Sequence, residues 1–200
     1  MQLYLNASSP YARVVRVCLY EKELMERTEL CWCDPWAADS ELLKITPLSR
    51  IPTLVTEGGE VLTESLLIAH YLDAVGEGAK LLPADGLAET LALAGLGQGL
   101  MEAAFNVVIG RKHGGPGADE TLLGNRRLKA IERTLVTLEA HPSVLAGHTQ
   151  RTLGAIVVAV ALAYLSFRLP AFDWPNRFPR LQAWFAKVAE CDSFALTAFE

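Results

Sequence analysis

Apolar and polar residues alternate at the start of the chain, with Leu3 and Leu5 on one side of a short strand that runs into Asn6-Ala7-Ser8-Ser9-Pro10. Serine before proline is a favoured helix start: the serine oxygen takes an otherwise unpaired amide, and proline has none to leave unpaired. Over residues 11–24 the spacing becomes helical, with Arg13, Arg16, Tyr20 and Glu23 on one face and Val14, Val15, Val17, Cys18 and Leu19 on the others. Residues 28–33 predict a second strand, and the irregular stretch 34–49 predicts a short helix near residues 40–44. Strands at 53–56 and 60–62 flank Glu57-Gly58-Gly59, a hairpin signal. Residues 65–75 then predict a helix with Leu66, Leu67, Ile68, Tyr71 and Leu72 for burial. A crossover helix demands a parallel strand pair, whereas the tight glycine turn demands an antiparallel one. A mixed four-stranded sheet with helices on its faces satisfies both.

The pattern changes at residues 76–86, where Gly76-Glu77-Gly78, Leu81-Leu82-Pro83 and Asp85-Gly86 read as a linker, and no strand signal recurs beyond it. Helices are predicted over 90–109, 119–140, 152–167 and 179–190. Gly95, Gly97 and Gly99 weaken the first of these, and Gly110 reads as its stop. The helix from Ala155 is apolar nearly all round, which suits the buried centre of a bundle. The fold class is therefore α/β plus all-α: a mixed-sheet domain over residues 1–77 and an all-helical bundle over residues 86–200.

Composition narrows the function. Hydrophobic residues make up 51% of the 200 and charged residues 20%, ordinary for a chain with proper cores. The net charge of -5 and the lack of a Lys/Arg-rich run give a nucleic-acid partner no electrostatic footprint. The first residues show no basic segment followed by an apolar run, so no signal peptide is expected. The longest apolar stretch, 155–165, is too short to cross a bilayer, so no membrane partner is expected. Cys18, Cys31, Cys33 and Cys191 suit neither a zinc site nor a disulfide framework. His70, His113, His141 and His148 show no ligand spacing. A reduced cytoplasmic protein without a metal is the expectation, with Cys31-Trp32-Cys33 read as a strand pair.

Three motifs line up in order. Ser9-Pro10-Tyr11-Ala12 resembles the Cys-Pro-Tyr-Cys turn of glutaredoxins and the Cys-Pro-Phe/Tyr-Ala of omega-class transferases, with serine for the first cysteine. Thr46-Pro47-Leu48-Ser49-Arg50-Ile51-Pro52-Thr53-Leu54 is similar to Asn-Pro-Leu-Gly-Lys-Val/Ile-Pro-x-Leu. Glu64-Ser65-Leu66-Leu67-Ile68-Ala69-His70-Tyr71-Leu72 is similar to Glu/Asp-Ser-x-x-Ile-x-x-Tyr-Leu. In the second half, Thr152-Leu153-Gly154-Ala155-Ile156 looks like Thr-Leu-Ala/Gly-Asp-Ile. Together they resemble the cytosolic glutathione transferase superfamily over nearly the whole chain.

The resemblance implies a thioredoxin-like first domain that binds glutathione as co-substrate. It also implies a homodimer acting on a small hydrophobic electrophile. A thiol of pKa about 8.5 must be shifted down to react at neutral pH. The N-terminus of the helix at Pro10 would stabilise the anion, helped by a serine hydroxyl, with Ser9 the first candidate and Ser8 the second. Either serine could instead be only a helix cap. Pro52 falls at the family's cis-proline position, and Ile51 before it would offer its backbone to the ligand's cysteinyl group. Glu64 would meet the α-ammonium, Ser65 the α-carboxylate and Arg50 the glycyl carboxylate. Serine in place of cysteine removes the mixed-disulfide route, which favours chemistry on glutathione's own sulfur. The alternative is a transferase-fold module that binds ligands or proteins without catalysis. One departure bears on stability. Ala155 stands where the family has Asp, and losing that half of a capping box should cost about 1 kcal/mol.

Overall fold

The computed structural model describes residues 1–37, 40–147 and 150–200, with Ser40 described by its backbone alone. His148 lies outside the described residues. The chain forms two compact units, one of Met1–Pro83 with Cys191–Glu200 and the other of Ala84–Glu190.

In the first unit, strands β1 (Gln2–Leu5), β2 (Glu29–Trp32), β3 (Thr53–Val55) and β4 (Val61–Thr63) form one sheet in the order β2-β1-β3-β4. β1 runs parallel to β2 and antiparallel to β3, and β3 is antiparallel to β4, so the mixed sheet is present. Helix α1 (Pro10–Glu21) makes the crossover between β1 and β2; α2 (Ser40–Ile45) precedes β3 and α3 (Ser65–Val75) follows β4. Leu3, Leu5, Leu54, Val14 and Ile68 are fully buried and form the core. α3 spans the residues its pattern predicts but buries a different set: Ser65, Ile68, Ala69, Leu72 and Asp73. Leu67 is 63% exposed, because the buried positions recur every three to four residues and it falls between them.

The arginine face of α1 is the larger departure. Arg13 and Arg16 are 6% and 9% exposed, not solvated. They are covered by the final residues, which return to this unit with the short helix α10 (Asp192–Ala195). The Arg13 guanidinium donates to the Phe194 carbonyl at 3.1 Å and lies over the Phe199 ring at 4.5 Å. Arg16 donates to the Leu196 carbonyl at 3.0 Å. At the other end of α1, Ser193 Oγ donates to Glu21 at 2.6 Å. Burial, then the neighbouring Arg16 charge, lowers the Arg13 pKa to about 10, which leaves it a cation at neutral pH.

The second unit is helical: α4 (Leu87–Gly114), α5 (Leu122–Glu139), α6 (Pro142–Leu145), α7 (Leu153–Arg168), α8 (Trp174–Arg177) and α9 (Pro179–Val188). α7 is buried along almost its whole length, as an all-round apolar helix requires. α4 runs past Gly110 and ends before Gly115, whose φ of 75° takes the left-handed form. Its glycines differ in role. A Cβ on Gly97 would sit 2.7 Å from the Val158 amide nitrogen, and one on Gly154 of α7 would sit 2.6 Å from the Thr90 carbonyl oxygen. These two glycines let the backbones of α4 and α7 touch, whereas Gly95 and Gly99 face open space.

Two caps complete the unit. Phe178 leads into α9 without a side-chain cap, and Glu139 of α5 supplies one by accepting the amides of Arg180 and Leu181 at 3.2 and 2.8 Å. Thr152 Oγ1 accepts the Ala155 amide at 3.3 Å, so half of the capping box survives. The Thr152 amide, which an aspartate at 155 would have taken, donates instead to the Gln150 carbonyl at 2.9 Å.

Candidate functional site

The N-terminus of α1 is built by the turn after β1. Asn6 Oδ1 accepts the Ser9 amide at 2.8 Å, which holds the turn closed. Ser9 takes φ -78°, ψ 120° as N-cap, and its Oγ accepts the Ala12 amide at 3.2 Å with Pro10 at the first helical position. Ser9 is therefore a cap, and in accepting that bond it keeps its own hydroxyl proton to donate. No acidic residue in the first turn offsets the positive end of α1. Ser8 is half-buried one residue before. The role of Asn6 escaped the sequence reading, although an Asn three residues ahead of a Ser-Pro helix start is a turn signal.

The loop from Thr46 to Pro52 is pinned by residues on either side of it. Ser49, at φ 47°, donates through Oγ to the Pro35 carbonyl at 3.3 Å, and Thr53 Oγ1 donates to the Arg50 carbonyl at 2.7 Å. The Ile51–Pro52 peptide is cis, with Ile51 half-buried and Pro52 buried ahead of β3.

Glu64 and Ser65 open α3. Glu64 is the N-cap, but its φ of 67° is rare for a residue with a Cβ, and its side chain caps nothing. Such outliers persist where the surroundings enforce them, and they cluster at ligand sites. The Glu64 carboxylate lies 3.5 Å from Arg50, with the two side chains 58% and 72% exposed. Ser65 is 3% exposed, and its Oγ has no hydrogen-bond partner among the described residues. The structure thus brings Arg50 and Glu64 together and leaves a buried hydroxyl at the start of α3. Of the four cysteines, Cys18 is sealed inside α1, and burial pushes its thiol far above the usual range. Among the described residues no group of three or more His, Cys, Asp or Glu could hold a metal ion.

A mixed four-stranded sheet joined to a helical unit, with a serine-capped crossover helix and an Arg–Glu pair above a buried serine, defines a class of protein. The chain matches the family profile "Glutathione S-transferase, N-terminal domain" over residues 8–75 and "Glutathione S-transferase, C-terminal domain" over residues 122–187. It belongs to the glutathione S-transferase family. It is 32% identical to the uncharacterised GST-like protein YibF of Escherichia coli (strain K12), with 98% of each chain covered. Among solved structures it is similar to a glutathione transferase family member from Pseudomonas fluorescens Pf-5 with bound glutathione, at 33% identity and a TM-score of 0.91, covering 100% of this chain and 98% of that one. It is also similar to a glutathione S-transferase from Methylobacterium radiotolerans JCM 2831 in complex with glutathione sulfonate, at 27% identity and a TM-score of 0.86, covering 100% and 95%.

Proposed function

We propose that this protein is a cytoplasmic, homodimeric glutathione S-transferase that lowers the pKa of bound glutathione's thiol for attack on a small hydrophobic electrophile. The observation that carries the reading is Ser65, whose buried hydroxyl has no partner among the described residues. A buried polar group left unbonded costs about 1–3 kcal/mol, which a ligand oxygen accepting that proton would recover. The amides at the start of α3 favour an anion there, so the α-carboxylate of glutathione fits.

The remaining charges follow the ligand's zwitterionic shape. Glu64 meets the α-ammonium and Arg50 the glycyl carboxylate. An exposed ion pair at 3.5 Å contributes little by itself, so exchanging it for a ligand costs little. The backbone of Ile51, held by buried Pro52, pairs with the cysteinyl residue as an added strand would. Ser9 donates its hydroxyl proton to the sulfur, which the positive end of α1 also stabilises. Ser8 is the second candidate for that donor. The thiol proton leaves to solvent, the thiolate forms a carbon–sulfur bond, and the electrophile's leaving group departs with its electron pair. Ser9 cannot form a disulfide with the ligand, so no covalent enzyme intermediate enters. The glutathione and glutathione sulfonate bound by the two bacterial relatives support the choice of ligand.

Calorimetric titration with glutathione, followed by initial rates with an aryl halide, tests the reading. Binding with turnover is the expected result. No binding, or binding without turnover across a panel of electrophiles, overturns the enzyme reading and favours the non-catalytic ligand- or protein-binding module.

A further inference from the structure

Cys31 and Cys33 lie outside the glutathione chemistry, on the edge strand of the sheet. The parallel ladder does not stop with β2, because the Cys33 amide still donates to the Leu5 carbonyl at 2.9 Å. Extended backbone therefore runs through residue 33, and alternation puts both thiols on one face. Tyr4 is paired with Cys31 in the register and shares that face, while Leu3 and Leu5 point into the core on the other. Both cysteines are half-buried, so solutes can reach them.

We propose that Cys31 and Cys33 form a two-coordinate site for a soft monovalent cation, Cu(I) or Ag(I). Two residues apart on a strand places the Cα atoms roughly 6.6 Å from each other. Two thiolate–metal bonds of about 2.3 Å each span what remains once the side chains lean together. Soft thiolates select this kind of ion. Zinc would ask for four ligands, and among the described residues no third His, Cys, Asp or Glu joins the pair.

The surroundings agree. Glu29 lies on the same strand face as the two thiols and accepts from Gln2 at 2.9 Å. Burial first, and then the negative groups of Cys31, Glu41, Glu29 and Cys33, hold the Tyr4 phenol above its ordinary range, which marks these groups as neighbours. Glu41 is bonded to Lys44 at 2.6 Å. Burial, then Glu29, also raises the Cys31 thiol. A raised thiol is a poor nucleophile, so Cys31 is not primed for oxidation. A bound cation reverses the balance, because a coordinated thiol is deprotonated outright and the acidic surroundings then attract. Each thiol releases one proton, two metal–sulfur bonds form, and no oxidation state changes.

The test adds Cu(I), or Ag(I) as its air-stable counterpart, to the full-length protein in glutathione-free, oxygen-free buffer. Native mass spectrometry is expected to show one cation per chain, and alkylation mapping to show Cys31 and Cys33 protected together while Cys191 stays reactive. Cys31→Ser and Cys33→Ser should each abolish binding along with its near-ultraviolet thiolate-to-metal band, whereas Cys191→Ser should retain both. A cation that leaves Cys31 and Cys33 open to alkylation, or that stays bound in the Cys31→Ser/Cys33→Ser double variant, overturns the proposal. The alkylation arm uses the unaltered protein, so a variant that misfolds does not obscure the answer.

Discussion

The Lys22 ammonium lies 3.2 Å from the Asp73 carboxylate, with both side chains buried, and this pair ties the end of α1 to α3. Lys22 Nζ also donates to the carbonyls of Ala79 and Gly78 at 3.1 and 3.5 Å. Asp73 in turn accepts the amides of Leu81 and Leu82 at 2.8 and 3.1 Å. One ion pair thereby anchors the linker that leaves the first unit. Burial alone would raise the Asp73 pKa, but the Leu81 amide, Lys22 and the Leu82 amide together outweigh it and leave it lowered.

Removing one partner of such a pair strands the other. Asp73→Asn should cost about 3–5 kcal/mol at neutral pH, read as a lower urea midpoint. The pH dependence has a definite sign. A carboxyl whose folded pKa is depressed contributes stability above its unfolded value of about 3.9, and loses it as pH falls through the folded value. The gap between wild type and Asp73→Asn should therefore close on acidification below about pH 4. A gap that stays constant down to strong acid would contradict the role given to the pair.

Gly97, at the contact of α4 and α7, and Gly95, on the open side of α4, should respond oppositely to alanine. Gly97→Ala drives a Cβ to 2.7 Å from a backbone nitrogen that cannot yield cheaply. It should destabilise by about 1–3 kcal/mol. Gly95→Ala faces open space in the same helix. It should stabilise by about 0.5–1 kcal/mol through helix propensity. Thermal unfolding of the two variants, side by side, separates packing from propensity, and equal shifts would refute the close approach.

Ser9→Ala should raise the pKa of bound glutathione by about one to two units. A hydrogen bond to a charged acceptor is worth roughly 1.5–3 kcal/mol, and 1.36 kcal/mol is one unit. Activity at neutral pH should fall about ten- to a hundredfold and recover as pH rises. Ser8→Ala should do little, and Ser9→Cys should yield a mixed disulfide with oxidised glutathione. Thiolate absorbance against pH reads all three; a shift in Ser8→Ala with none in Ser9→Ala reverses the roles.

Glu64→Ala and Arg50→Ala should each shrink the rise in melting temperature that glutathione gives, because the stabilisation a ligand confers grows with the logarithm of its affinity. Losing one exposed charge contact of this kind typically costs about 1 kcal/mol or less, so a rise in Kd of up to about fivefold is expected from each. An undiminished thermal shift in both variants would exclude the site.

Features carried by neighbours in sequence were legible before the structure. The Glu57-Gly58-Gly59 hairpin, the Ser9-Pro10 helix start and the full span of α3 all follow from local patterns. What could not be read depends on partners far along the chain. Arg13 and Arg16 form a polar stripe indistinguishable from a solvated face until residues 194–199 cover it. Gly97 looks like a helix defect until Val158 arrives beside it. At the candidate site, the motifs marked Ser9, Arg50, Pro52, Glu64 and Ser65, but not the positive φ of Glu64, the solitary Ser65 hydroxyl or the clasp of Asn6 on Ser9. Those are backbone and packing facts that side-chain identity alone does not encode.

The return of residues 191–200 to α1 sets an order of assembly. During synthesis these residues leave the ribosome after the entire helical unit, so the first unit must wait for them with Arg13 and Arg16 still uncovered. Until they arrive, two guanidinium groups are bare on a helix whose other faces already seek a core. The portion made first is thus the portion finished last. A chain halted anywhere within the helical unit would carry Arg13 and Arg16 without these covering residues, a nascent state open to chaperones and proteases that the completed protein hides.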